Sequence, residues 1–160
     1  MHGVLFKQLF SGLIFIFIAF FLQQSSLLDI SYITPNILLV VSISLVFFIR
    51  EKTLYYFLAF FVSFFIYIST GSLSVSGFFF ALIVTAFFIH THLPASSFIS
   101  FIFLVGIATP VLYLFIDPSF SLSNPVTILG EMLYNIGIGM IVFFMVQSIF
   151  YYEEKITIAI

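Results

Sequence analysis

Few polar side chains in this chain could do chemistry, and the clearest pair shares one helical face. Glu131 and Asn135 are four residues apart, and Gly139 follows at the same spacing, so all three lie on one side of a helix. An ionisable group inside a membrane is costly and marks a candidate functional site. We favour an interfacial or structural role, in which Glu131 reaches water near the outer interface and Asn135, one turn deeper, finds a partner. A contact with a partner protein and a ligand or ion site are the alternatives.

The segment His90-Thr91-His92 suggests metal binding but lacks a complete set of ligands. Zinc takes three or four protein ligands, and no carboxylate or cysteine stands near these two histidines. We interpret them as interface histidines in a cytoplasmic loop. The chain also has no clustered carboxylates, nucleophile elbow or phosphate-binding glycine loop. The sequence therefore predicts a non-enzymatic protein with no catalytic residue, metal or cofactor.

The composition indicates that the helices carrying these residues lie in a membrane. Hydrophobic residues make up 63% of the 160 residues and charged residues 6%, against about 25% charged in a typical soluble domain. Ten charged side chains are too few to cover the surface that a soluble fold of this length leaves in water. Four basic residues leave no basic surface for nucleic acid. We predict an all-α integral membrane protein.

Breaks in hydrophobicity divide residues 1–160, a single transmembrane domain, into a bundle of six helices. The second helix is expected to begin with Thr34 as its N-cap and Pro35 in its first turn. The predicted spans are 4–22, 34–49, 53–68, 73–89, 97–116 and 126–152.

The few charges orient the bundle, because basic residues concentrate on the cytoplasmic side of a membrane. With both termini inside, Asp29 and Asp117 lie outside. The basic residues then all lie inside: Lys7, Arg50, Lys52 and Lys155.

Small residues indicate where helices pack, since lipid gives them little hydrophobic reason to associate. Gly77, Ala81 and Thr85 recur every four residues in the fourth span and form a flat ridge. We favour packing of this ridge inside the bundle.

The fifth span contains Pro110, which removes a helical hydrogen bond and crowds the carbonyl group of Gly106. The Thr109 hydroxyl group is placed to satisfy a freed or neighbouring carbonyl group. We favour a packing kink at this position, with a gating hinge as the alternative.

The layout resembles the rod-shape-determining protein MreD family. The most specific likeness is the segment 34–40, Thr-Pro-Asn-Ile-Leu-Leu-Val, which is similar to the start of that family's second span at Pro35 and Asn36. The segment 50–52 stands where the family has a short basic turn, and 131–135 is similar to its Leu-Tyr-Asn ending. Gly71 and Gly77 match family glycines, whereas Ser63 and Tyr67 replace the usual Gly and Asp.

The resemblance implies a scaffold of the bacterial cell-shape and peptidoglycan elongation machinery in the cytoplasmic (inner) membrane. Such a protein binds MreC and, through it or directly, influences RodA, a class B penicillin-binding protein and MreB. We hypothesise that Gly77, Ala81 and Thr85, or the face of Glu131 and Asn135, dock a partner's transmembrane helix.

The alternative is a substrate-binding membrane subunit of a small-molecule, vitamin-type transporter. The substrate-specific component of energy-coupling-factor transporters has six helices, and the resemblance to MreD implies a similar fold. Those components carry an Ala-x-x-x-Ala ridge on the first helix, where this chain has Ser11, Phe15 and Ala19. A modest pocket is expected to use four polar residues: Tyr67, Tyr113, Glu131 and Asn135.

Overall fold

The computed structural model describes residues 2–25, 27–29, 33–49, 51–93 and 97–158, and this part of the chain forms seven helices and no β-strand. The prediction of an all-α protein is confirmed. The helices are α1 (His2–Gln24), α2 (Ile37–Val46), α3 (Lys52–Thr70), α4 (Leu73–His90), α5 (Ser97–Ile116), α6 (Pro118–Ser123) and α7 (Pro125–Ile158).

Helix α2 lies at the centre of the bundle. All of its residues are buried, and it contacts α1, α3, α4, α5 and α7. Its sequence is aliphatic except for Ser42 and Ser44, and a helix that is apolar all round buries every face. Both hydroxyl groups donate hydrogen bonds within the helix, to the carbonyl oxygens of Leu38 at 2.6 Å and Val40 at 2.9 Å, so neither side chain needs a partner outside it.

The helices around α2 carry the apolar outer surface. Five of them are long and apolar enough to cross a membrane, over Leu5–Gln24, Lys52–Thr70, Leu73–His90, Ser97–Ile116 and Pro125–Phe150 within the described residues. Their outward faces expose large side chains such as Phe6, Phe60 and Leu133. A surface of this kind is stable against lipid rather than water, and the fold is therefore that of a multi-pass membrane protein.

The predicted second span differs most from the structure. Helix α2 has ten residues, about 15 Å at the rise of an α-helix, which is short of a hydrocarbon core about 30 Å thick. It also begins later than expected, because Asn36 and not Thr34 is the N-cap: the Asn36 Oδ1 atom accepts a hydrogen bond from the Leu39 N–H at 3.0 Å. Pro35 precedes the cap.

The break after the fifth span contains a helix that the sequence did not predict. The Asp117 carboxylate caps α6 by accepting a hydrogen bond from the Phe120 N–H at 2.8 Å, and Pro118 stands in the first turn. Asp followed by Pro is a helix-start signal. The six residues of α6 bridge the ends of α5 and α7.

Two backbone features have the local structure that their residue types favour. Helix α5 continues through Pro110, and the Thr109 hydroxyl group donates to the neighbouring Val105 carbonyl oxygen at 2.9 Å. Gly71 ends α3 with a φ of 66°, in the left-handed region, which is the usual position of a glycine after a helix.

Gly139 of α7 provides a test of the packing at the centre. A Cβ atom there would lie 2.8 Å from the Phe101 Cζ atom and 3.4 Å from a Val40 methyl group. We predict that Gly139→Ala destabilises the purified protein by about 1–3 kcal/mol, as overpacking does, measured as thermal unfolding by circular dichroism in detergent. Gly137→Ala is the matched control, because a Cβ atom there meets nothing within 4 Å. Equal melting temperatures for the two variants would contradict the close packing.

Candidate functional site

The first turn of α2 is the most densely hydrogen-bonded place in the bundle. The Asn36 N–H donates to the Asn135 Oδ1 atom at 2.8 Å, and the Leu38 N–H donates to the Gln23 Oε1 atom at 3.1 Å. The Ile37 N–H reaches the Pro35 carbonyl oxygen at 3.1 Å, and the Leu39 N–H is bound by the Asn36 cap. The first N–H groups of a helix have no partner within it. Here all four are satisfied, by groups from α1, α7 and the chain before α2.

Asn135 connects three helices at this place. It is fully buried; its Oδ1 atom accepts from Asn36, and its Nδ2 atom donates to the Thr109 Oγ1 atom at 3.1 Å. Thr109 in turn donates to its own helix. A single side-chain amide therefore joins α2, α5 and α7, and Asn135 has the partners that its depth requires.

Glu131, one turn away on the same face of α7, is also buried, with only 4% of its surface exposed. Tyr113 of α5 lies against it, close to the side chains of both Glu131 and Thr34. The Glu131 Oε2 atom has no hydrogen-bond partner among the described residues. The prediction that this carboxyl group reaches water at the interface is wrong, because the packing of α5 against α7 encloses it.

The face of α7 that carries Glu131, Asn135 and Gly139 thus points into the bundle. Gly139 gives Phe101 the room to approach α7. The structure therefore corrects the hypothesis that this face docks a partner, because α2 and α5 already cover it. Its residues pack helices together.

A polar cavity of about 260 Å³ lies above the first turn of α2. We call it the Asp29 cavity, since Asp29 is the only charged residue in its lining among the residues that the structure describes. The lining comprises Gln23, Gln24, Asp29, Thr34, Pro35, Asn36 and Tyr113. Of the four residues expected to form a pocket, Tyr113 lines this one, Glu131 contacts Tyr113, and Asn135 contacts Asn36. Tyr67 lies elsewhere, between α3 and α4.

Sequence reasoning missed Gln23 and Thr34 as parts of this site. Gln23 stands in the polar break that was assigned to the loop between two spans, and Thr34 was predicted only as the N-cap of the second span. The available signal was the pair Gln23-Gln24 at the end of an apolar helix. Its side chains bind α2 and α3: the Gln24 Nε2 atom donates to the Ser69 hydroxyl group at 2.5 Å.

The small residues of α4 lie on the outside of the bundle, which corrects the expectation that they pack within it. Gly77, Ala81 and Thr85 are exposed, and we call them the α4 ridge. Helix α4 packs on α3 through another face: the Ser76 hydroxyl group donates to the Ser63 carbonyl oxygen at 2.6 Å. The residues buried on that face are Ser76, Phe79, Ile83, Ala86 and Phe87.

A groove of about 340 Å³ runs beside the α4 ridge, between α3 and α4. Gly77 belongs to its lining, and a Cβ atom added to Gly77 would meet nothing within 4 Å. The groove is mainly apolar and aromatic. Its lining residues are Phe60, Ser63, Phe64, Tyr67, Leu73, Ser76, Gly77 and Phe80.

The histidines lie at the opposite end of the bundle from the Asp29 cavity. The His90 ring packs on the Phe47 ring with their centroids 4.2 Å apart, and the His92 Nδ1 atom lies 2.9 Å from the Phe88 carbonyl oxygen. Within the described part of the chain, no three His, Cys, Asp or Glu side chains come together to hold a metal.

Compared with known proteins, the chain matches no family model, no curated protein and no solved structure.

Substitutions of Asn135 and Thr109 test the hydrogen bonds that join α2, α5 and α7. We predict that Asn135→Leu lowers stability by about 1–3 kcal/mol, because it leaves the buried Asn36 N–H without its partner. Thr109→Val should cost about 0.6 kcal/mol, a typical value for a hydrogen bond between membrane helices.

The measurement is a double-mutant cycle of unfolding in mixed micelles. Thr109→Val should cost measurably less in the Asn135→Leu background than in the original protein. Strictly additive losses would show that the two side chains do not interact.

Proposed function

We propose that the protein is a non-enzymatic scaffold of the bacterial cell-shape and peptidoglycan elongation machinery, and that its α4 ridge binds the transmembrane helix of MreC. Through MreC or directly, it would act on RodA, a class B penicillin-binding protein and MreB from the inner membrane. The observation that carries the proposal is the outward position of the α4 ridge. The resemblance to the MreD family supplies the identity of the partners.

The ridge has the properties of a helix-binding surface in lipid. Small side chains let two helix backbones approach closely, and van der Waals packing is the main attraction between membrane helices. Gly77 and Ala81 form a shallow strip, while Phe60 and Phe64 of α3 stand beside it. Most other outward faces carry bulky side chains. The α4 ridge is therefore a surface that a partner helix can approach closely.

The proposal includes six crossings with both termini in the cytoplasm. Gln24 at the end of α1 bonds to Ser69 near the end of α3, so these two ends lie together. The chain from Asn36 to Lys52 then has to return across the bundle. Helix α2 with the chain on either side of it makes this crossing, since non-helical backbone is tolerated at membrane depth where protein surrounds it.

Single-cysteine labelling in spheroplasts tests the topology, because the chain has no native cysteine. We expect an impermeant maleimide to label Ser74→Cys and Ser123→Cys in intact spheroplasts, and Thr91→Cys only after permeabilisation. All three positions are exposed, whereas Ser121 is buried and makes a poor site. Labelling of Thr91→Cys in intact spheroplasts would overturn the orientation.

Leucine substitutions on the α4 ridge test the docking surface. We predict that Gly77→Leu or Ala81→Leu reduces co-purification of MreC several-fold without lowering the amount of the protein itself, since the larger side chain holds the partner helix away. Gly137→Leu is the matched control: Gly137 is also an exposed helical glycine with nothing within 4 Å of a Cβ atom, but it lies on α7. Equal recovery of MreC with Gly77→Leu and Gly137→Leu would refute this assignment.

A second candidate, the substrate-binding subunit of a small-molecule transporter, is favoured by the Asp29 cavity alone. The first helix argues against it. Phe15 and Ala19 are buried, so the face at the spacing of the Ala-x-x-x-Ala ridge is not open to a coupling protein. Co-purification of an ATPase pair in place of MreC would support this candidate.

A further inference from the structure

We propose that the Asp29 cavity binds a small organic cation through its ammonium group. This inference concerns the cavity itself and holds whether or not the α4 ridge binds MreC. Its volume of about 260 Å³ lies just below the range of about 300–1,000 Å³ that is usual for drug-sized ligands. It therefore suits a molecule of a few non-hydrogen atoms.

The cavity does not provide what an anion needs. A helix N-terminus attracts anions through its unpaired N–H groups and its dipole. The N–H groups of the first turn of α2 are already bound, and the side-chain oxygens of Gln23, Asn36 and Asn135 lie against that end of the helix. These amide oxygens offset the positive end of the dipole, so a phosphate or carboxylate finds no free backbone donor there.

The charge in the described lining of the cavity is negative. Asp29 is exposed in the lining, and behind Tyr113 lies the Glu131 carboxyl group, whose Oε2 atom has no partner among the described residues. Within the described part of the chain, no lysine or arginine belongs to the lining; Lys7 and Lys52 stand near the starts of α1 and α3, at the other end of the bundle. Asp29 attracts a cation directly, and a cation close to a buried carboxyl group favours the ionised form of that group, so binding would also favour ionisation of Glu131.

The remaining lining groups suit an ammonium ligand. Tyr113 belongs to the lining, and the face of an aromatic ring attracts ammonium groups. Gln24 and Thr34 add amide and hydroxyl oxygens that can accept hydrogen bonds. An ammonium group could come from a free amine or from the headgroup of a lipid, and the chemistry of recognition is the same for both.

The experiment measures binding to the full chain purified in maltoside micelles, by isothermal titration calorimetry. The probes are choline and ethanolamine, with neohexanol as the uncharged carbon analogue of choline and acetate as a small anion. We expect at least one of the two cations to bind about tenfold more tightly than neohexanol, as one nearby charge allows, and acetate not to bind. Equal binding of choline, ethanolamine and neohexanol, or no binding of either cation, would overturn the proposal.

Matched substitutions locate the site. Asp29→Asn should weaken binding of the cation about tenfold, and it leaves the fold intact because Asp29 is exposed. Glu131→Gln, which keeps a group able to bond Tyr113, should weaken it as well. Asp117→Asn is the control: it removes a charge beside α6, outside the lining, and asparagine also caps a helix. Equal weakening by Asp29→Asn and Asp117→Asn would assign the effect to general surface charge and refute the site.

Nanodiscs distinguish the two sources of the ammonium group. If a headgroup fills the cavity in the membrane, the probe should bind more weakly in phosphatidylethanolamine discs than in discs of digalactosyldiacylglycerol, a lipid with no ammonium group and no net charge to concentrate the probe. Equal affinities would support a free amine. The MreC co-purification test does not depend on these results, so the scaffold function and the cation site can fail separately.

Discussion

The rest of the structure depends on the need to satisfy the buried first turn of α2. This end of the helix lies inside a bundle whose surroundings are lipid, where an unpaired N–H group costs several kcal/mol. Gln23 and Asn135 meet that need from α1 and α7, and each must stand at one height along its helix to do so. The polar contacts thus fix how far α1 and α7 slide along α2, which apolar packing alone would specify weakly.

The hydrogen-bonding needs of α2 also bear on which polar and small residues lie inside the bundle and which lie on its surface. The inward face of α7 carries Asn135 because α2 needs an acceptor, and it carries Gly139 because Phe101 needs room. No neighbouring helix needs an acceptor or extra room at Gly77 and Ala81, since α4 packs on α3 through its opposite side. Small residues on a face that no neighbour uses form a surface free for another molecule. The position of these residues relative to the core, rather than their small size, is what leaves the α4 ridge exposed.

Sequence reasoning found the long helices because each is a continuous apolar run closed by polar residues, and the bounds of α4 and α5 agree closely with the predicted spans. It failed where a tertiary contact decides the outcome. Asn36 caps α2 in place of Thr34, although both residue types cap helices and only the packed structure selects between them. The distance of Glu131 from the end of the last span suggested the interface, but Glu131 is buried. The sequence could not predict this, because it does not give the position of α5. For the same reason, the spacing of Gly77, Ala81 and Thr85 defined a face but not the direction in which that face points.

The residues in and behind the lining of the Asp29 cavity fall into two groups. Some cap α2, and the others carry carboxyl groups. Gln23 and Asn36 cap α2, so any change to them alters the fold together with the cavity. Asp29 and Glu131 bond to no backbone group of α2, and the assembly of the bundle does not require their negative charge. Glu131 is a buried carboxyl group whose Oε2 atom has no partner among the described residues, which lowers stability, and Asp29 is an exposed carboxylate in the lining of the cavity. That combination is what a binding site requires: a charge that the fold leaves unpaired and a ligand of opposite charge satisfies.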